Sequence, residues 1–157
     1  MSLRPLFLAL PVLAGLALLS TPARAKSPPH EILGVSIGMS SDDAMKHLFD
    51  VGKPTKDESG PHGAKQIWQL DHPRFSYLIV SYDGDQKVAW LTAFVKKTGK
   101  PMRYRDVGNL KDARLQGKYF YFWNVKEDGE EFVVRAAGTD SEKLETLSLF
   151  APGSESD

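Results

Sequence analysis

Tyr119-Phe120-Tyr121-Phe122-Trp123 is the stretch that decides the fold. Five consecutive aromatics do not suit a strand with one wet face. Successive side chains of a strand point to opposite sides of its sheet. Tyr119, Tyr121 and Trp123 therefore share one face, and Phe120 and Phe122 share the other. Two readings follow. The strand is central and buried on both sides, or its sheet packs one face on helices and leaves an aromatic face for binding.

Downstream, Glu127-Asp128-Gly129-Glu130 is a hairpin turn, 131–137 a returning strand and 143–150 a last strand. Upstream, Gly99-Lys100-Pro101 breaks the chain, and 102–107 is expected to form a short helix that Gly108 stops. The clearest helix lies further back. Ser40 is its expected N-cap, Asp42 and Asp43 suit its positive end, and Ala44, Met45, Leu48 and Phe49 recur at helical spacing. Gly52 and Pro54 end it. Residues 55–63 read as a polar loop, followed by strands 65–70 (with Trp68), 75–82 and 87–95, which turns at Asp71-His72-Pro73-Arg74 and Asp83-Gly84-Asp85 separate. Residues 32–37 are a first strand or a tether.

An internal echo organises these elements. Asp50-Val51-Gly52 matches Asp106-Val107-Gly108, Trp68 matches Trp123, and 87–94 matches 143–150, at a spacing of about 56 residues. The expected fold class is α+β: helices packed on one face of an antiparallel meander sheet, in two pseudo-repeats of one helix and three strands, the second helix short. The halves would span 26–96 and 97–151. The echo also sorts faces. Ala89, Leu91 and Ala93 align with Glu145, Leu147 and Leu149 and suit helix packing; Trp90, Thr92 and Phe94 align with Thr146, Ser148 and Phe150 and suit a face open to a partner. The opposite assignment of faces stays open.

Residues 1–25 read as a secretory signal peptide. Arg4 precedes the apolar run 6–19, and Ala23-Arg24-Ala25 is a small-x-small cleavage site. The run is short for a membrane anchor and contains Pro11 and Gly15. Cleavage after Ala25 implies a periplasmic or secreted protein with no integral span. Removing Arg4 and Arg24 takes the 20 basic residues to 18 against 20 acidic ones, and no basic block marks a nucleic-acid footprint. The absence of cysteine excludes disulfides, thiolate metal sites and a cysteine nucleophile. The acidic tail 152–157 is expected to be disordered.

The chain carries no Gly-x-Ser-x-Gly elbow, no His-Glu-x-x-His and no phosphate-cradling glycine run. Its histidines, His30, His47, His62 and His72, are scattered, with only His62 and His72 flanking one strand. No cofactor, metal site or catalytic set is assigned.

Gly38, Ser40, the amphipathic helix, then Gly52 and Pro54 ahead of a tryptophan strand resemble the SmpA/OmlA (BamE-like) domain of outer-membrane assembly, related in fold to the secreted beta-lactamase inhibitor protein. The likeness covers 35–95 best and reaches the second half only through the echo. SmpA/OmlA proteins are typically lipoproteins and the inhibitor is stapled by disulfides, whereas this chain has no cysteine. What the resemblance implies is a helix-on-sheet scaffold that presents a sheet face to another protein, with neither family's activity carried over.

The aromatics are the remaining signal. Trp68, Trp90, Phe94, Tyr119, Tyr121 and Trp123 are the candidate partner-binding residues, with Lys87, Arg135 and Lys143 as rim charges. The function these imply is an exported, non-enzymatic protein-interaction module of the bacterial cell envelope, an assembly factor or an inhibitor. The alternative is a periplasmic carrier of a lipid, glycan or peptide. An enzyme built from dispersed residues ranks third.

Overall fold

The computed structural model describes residues 26–60, 63–115 and 117–152. The expected signal peptide, His62 and the tail beyond Pro152 lie outside the described residues. A two-stranded hairpin, β1 (Glu31–Ile32) and β2 (Val35–Ser36), precedes the helix α1 (Ser41–Phe49). Eight strands follow: β3 (Gly52–Gly60), β4 (Gly63–Leu70), β5 (Phe75–Tyr82), β6 (Val88–Val95), the two-residue β7 (Arg114–Leu115), β8 (Phe120–Glu127), β9 (Glu130–Ala137) and β10 (Thr146–Phe150). They form one antiparallel sheet in the order β3-β4-β5-β6-β10-β9-β8-β7.

This order corrects the α+β expectation. The protein is mostly β, with a single nine-residue α-helix among the described residues. Two elements account for the difference. Residues 52–60 form a nine-residue edge strand rather than a loop; its lysines, acids and Pro54 disguise it, and such residues are what an unpaired edge needs to discourage aggregation. The expected second helix shrinks to a 3-10 turn, Tyr104–Asp106, between Pro101 and Gly108. Each half therefore contributes a four-strand meander, not a helix and three strands.

The two meanders meet at β6 and β10, where Thr92 pairs with Ser148 and their hydroxyls lie 2.8 Å apart. These residues are 56 positions apart. The same offset carries the β5–β6 register, Leu78 opposite Ala93, onto the β9–β10 register, Val134 opposite Leu149. Residues entering the helical segments correspond too. Ser40 bridges Lys87 and caps α1, its hydroxyl accepting the Asp43 N–H at 3.2 Å; Arg103 bridges Lys143, and its N–H donates to the Asp106 carboxylate at 2.9 Å.

One face of the sheet carries the core. Trp68, Leu78, Val80, Leu91, Ala93, Leu147, Leu149, Val134 and Trp123 are buried there. Over the first meander the cover is α1, through Ala44 and Leu48, with Ile32 and Val35 of the hairpin. Gln66 ties these layers: its Oε1 accepts from Tyr82 Oη at 3.0 Å and Trp68 Nε1 at 3.4 Å, and its Nε2 reaches Met45 Sδ at 3.8 Å. Over the second meander the cover is the 102–113 segment. Tyr104 is 1% exposed, and its hydroxyl lies 3.0 Å and 3.2 Å from the carbonyls of Tyr119 and Asp140. Trp123 Nε1 donates to the Asn109 carbonyl at 3.0 Å while its indole rests on Gly108, where an added Cβ would sit 3.0 Å from that nitrogen. A side chain there would press on the ring, so glycine suits this close approach.

Candidate functional site

The opposite face of the sheet has no helix or hairpin over it among the described residues. Strand alternation and register determine what it presents. Tyr77, Phe94 and Phe120 lie in one row across the strands. The next row holds Ile67, Ile79, Thr92, Ser148, Arg135 and Phe122. The third holds Lys65, Ser81, Trp90, Phe150 and Val133. Six aromatic rings thus face outward on one surface. Tyr77 is 44% exposed, and Trp90, Phe94, Phe120, Phe122 and Phe150 are half-buried.

The rings are interleaved with cations and short hydroxyls. Ser81, between Lys65 and Trp90 in its row, is small enough for the Lys65 ammonium to reach across it and lie 5.2 Å from the Trp90 ring. Trp90 and Phe150 face each other across the β6–β10 seam with ring centroids 6.5 Å apart. The Arg135 guanidinium lies 4.9 Å from the Phe120 ring and 5.9 Å from the Phe122 ring. Such contacts shield aromatic faces from water without removing them from reach.

The six residues nominated from sequence divide between two faces. Trp90 and Phe94 lie on the open face. Trp68 and Trp123 point into the core, at 0% and 2% exposure, which removes them as contact residues. Tyr121 packs on the core side, between Trp123 and Tyr104, its ring 6.2 Å and 4.7 Å from theirs. Tyr119 lies just before β8, with the Lys118 ammonium 5.2 Å from its ring. The aromatic stretch therefore faces outward through Phe120 and Phe122, the pair that sequence reasoning assigned to the other side. Phe150 and Tyr77 were also missed; the alignment of Phe94 with Phe150 was the available signal for the first. Arg135 sits inside the rows rather than on a rim, whereas Lys87 and Lys143 sit beside the caps of the two helical segments.

The scattered histidines have local roles. His30 Nδ1 lies 3.1 Å from a Glu127 oxygen, and His72 stacks on Phe75 and accepts the Arg74 N–H at 3.3 Å. Burial, then the nearby Arg74 and Lys96 charges, hold the His72 pKa below its ordinary value. Among the described residues no three His, Cys, Asp or Glu side chains gather as a metal site, and no helix is long and apolar enough to cross a membrane.

The residues carrying the SmpA/OmlA resemblance also have definite places. Gly38 takes φ +77° ahead of the capping Ser40, Gly52 opens β3, and Pro54 sits at the β3 bulge. No protein-family model, curated protein or solved structure matches the chain.

Proposed function

We propose that this chain is an exported, non-enzymatic interaction module of the bacterial cell envelope, which binds a partner protein through the open face of its sheet. One observation carries the reading: six aromatic side chains share a sheet face that no other element covers among the described residues. Exposed apolar patches of this kind mark interaction sites, and aromatic residues supply most of the contact energy in them. Eight strands at about 4.8 Å spacing make the face roughly 34 Å wide. With three rows of side chains it offers several hundred Å², the scale of one partner's share of an ordinary protein interface.

The rows are open and shallow, which suits a protein surface better than a small ligand that needs enclosure. A cavity of about 450 Å³ lies at the end of the face, lined by Arg114, Asn124, Val133 and Pro152 among others; it extends the surface rather than sealing a ligand within it. The SmpA/OmlA resemblance points the same way.

The test is photo-crosslinking in cells. A crosslinker placed at Phe94 or Phe150 is expected to capture a defined protein, while one at Asp42, exposed on α1, is not. Equal capture from both faces, or undiminished capture from Phe94 in a folded Trp90→Ala variant, would overturn the assignment.

A further inference from the structure

The open face is charged against the trend of the chain. Its strand positions carry Lys53, Lys56, Lys65, Arg114, Lys126 and Arg135. Only Glu58 and Glu131 oppose them, and each is already in an ion pair, with Lys56 and Lys126 respectively. The face is thus net positive by about four charges, whereas residues beyond Ala25 hold 18 basic (20 less Arg4 and Arg24) against 20 acidic residues. At its centre Arg135 makes no ion pair among the described residues. Its Nε is buried and has no hydrogen-bond partner there. A buried donor without an acceptor is uncommon, and a guanidinium fork matches a carboxylate in two parallel hydrogen bonds.

We infer that the partner presents an acidic, aromatic- or aliphatic-flanked protein segment, with one of its carboxylates received by Arg135 between Phe120 and Phe122 and others by Lys53, Lys65 and Arg114. This rests on the interaction reading above and specifies the chemistry of that same face. Complementary charge steers such a partner to the face, and a carboxylate over Arg135 gives its guanidinium the ion-pair partner it lacks among the described residues. A second copy of this chain is the wrong occupant, because two such faces would bring like charges together. An anionic bilayer is disfavoured by shape. Its ligands sink apolar groups several ångströms past the headgroups, whereas here five of the six rings are half-buried and lie among hydroxyls at the level of the sheet.

The experiment selects binders to the purified protein from a displayed library of random linear peptides, then measures binding of the enriched peptides, each carrying a dye, by fluorescence anisotropy. Expected are peptides rich in Asp and Glu beside apolar residues. Their binding should weaken at least about tenfold in Arg135→Gln, recover in part in Arg135→Lys, which keeps the charge without the fork, and fall as salt rises from about 50 to about 500 mM. Arg135→Gln removes an unsatisfied donor but also the contacts with the Phe120 and Phe122 rings, so it should fold with a melting temperature within about 5 °C of the parent's, and the melting curve checks this. Trp90→Ala separates the two levels of the argument. Peptides that lose binding in Trp90→Ala but are not acidic and ignore Arg135→Gln would overturn the acidic-partner inference and leave the interaction face standing. Peptides that ignore both variants would overturn both. Vesicles of phosphatidylglycerol that bind with the same Arg135 dependence while no acidic peptide does, or a dimer abolished by Arg135→Gln, would likewise overturn it in favour of a membrane or a second copy.

Discussion

Adjacent residues Phe122 and Trp123 are expected to respond to alanine in opposite ways, because one strand step carries a side chain through the sheet. Trp123 is 2% exposed, is packed against Tyr121 and Gly108, and donates to the Asn109 carbonyl. Replacing a buried Trp by Ala costs about 3–5 kcal/mol through lost transfer energy and the cavity left behind. The Asn109 carbonyl loses its donor as well, adding on the order of 1 kcal/mol. For a domain of this size each kcal/mol moves the melting temperature by roughly 3–5 °C, so Trp123→Ala should lower it by roughly 12–30 °C. Phe122 is half-buried, and its ring lies 5.9 Å from the Arg135 guanidinium. Phe122→Ala forfeits part of a ring's burial and one cation–π contact, about 1 kcal/mol, and should move the melting temperature by less than about 5 °C. Partner binding should divide the other way. Phe122→Ala reduces crosslinking from Phe94 in a protein that still melts normally, while Trp123→Ala reduces it only in proportion to the unfolded fraction. Thermal denaturation by circular dichroism, run beside the crosslinking assay, reads both. A Phe122→Ala protein that melts as low as Trp123→Ala would mean that the outer face is buried too, and the binding proposal would lose its surface.

Further expectations follow from the core, the seam and the cap. Burial, with Asp57 nearby, raises the Tyr82 pKa from 10 to about 12. The unfolded chain therefore loses this proton first, so the stability Tyr82 contributes is complete below about pH 10 and declines as pH rises towards 12. The melting temperature should fall across that window, and the fall should be shallower in Tyr82→Phe. Thr92→Val, which leaves the buried Ser148 hydroxyl without its partner, should cost about 1 kcal/mol in urea denaturation, and adding Ser148→Ala should cost less than the separate effects summed. Ser40→Ala, which removes the cap accepting the Asp43 N–H, should cost about 1 kcal/mol in the same assay; no change would mean that the cap is idle.

The features legible in the sequence are those whose cause is local. Ser40 caps α1 because its hydroxyl reaches Asp43 three residues on, and Asp128-Gly129 turns the β8–β9 hairpin because both residues take positive φ, 51° and 87°. What is not legible depends on distant partners. β3 is a strand because β4 pairs with it; its own residues, Lys53 to Glu58, read as a solvated loop. The facing of the 119–123 aromatics depends on which side the 102–113 segment covers, and alternation alone gives two equal answers. The Trp123 indole settles it by fitting on Gly108, a contact 15 residues apart with no pattern to announce it. The 56-residue spacing resurfaces as strand register, yet the unit it relates is a four-strand meander, because an edge strand's composition hides it.

The seam explains why an internally repetitive chain presents one continuous outward aromatic face rather than two. A meander presented alone would leave β6 or β10 as an unpaired edge, and each holds only part of the outward surface: Trp90, Thr92 and Phe94 on one, Thr146, Ser148 and Phe150 on the other. Joining them antiparallel at Thr92 and Ser148 satisfies both edges and sets Trp90 beside Phe150, with Phe94 opposite Thr146. The centre of the aromatic surface is therefore made from both halves, and Arg135 lies one strand beyond the seam, directly opposite Ser148. The covers differ in the same sense. α1 over the first meander is a regular helix, whereas the 3-10 turn over the second leaves more of the cover to the Tyr104 hydroxyl and the Trp123 indole.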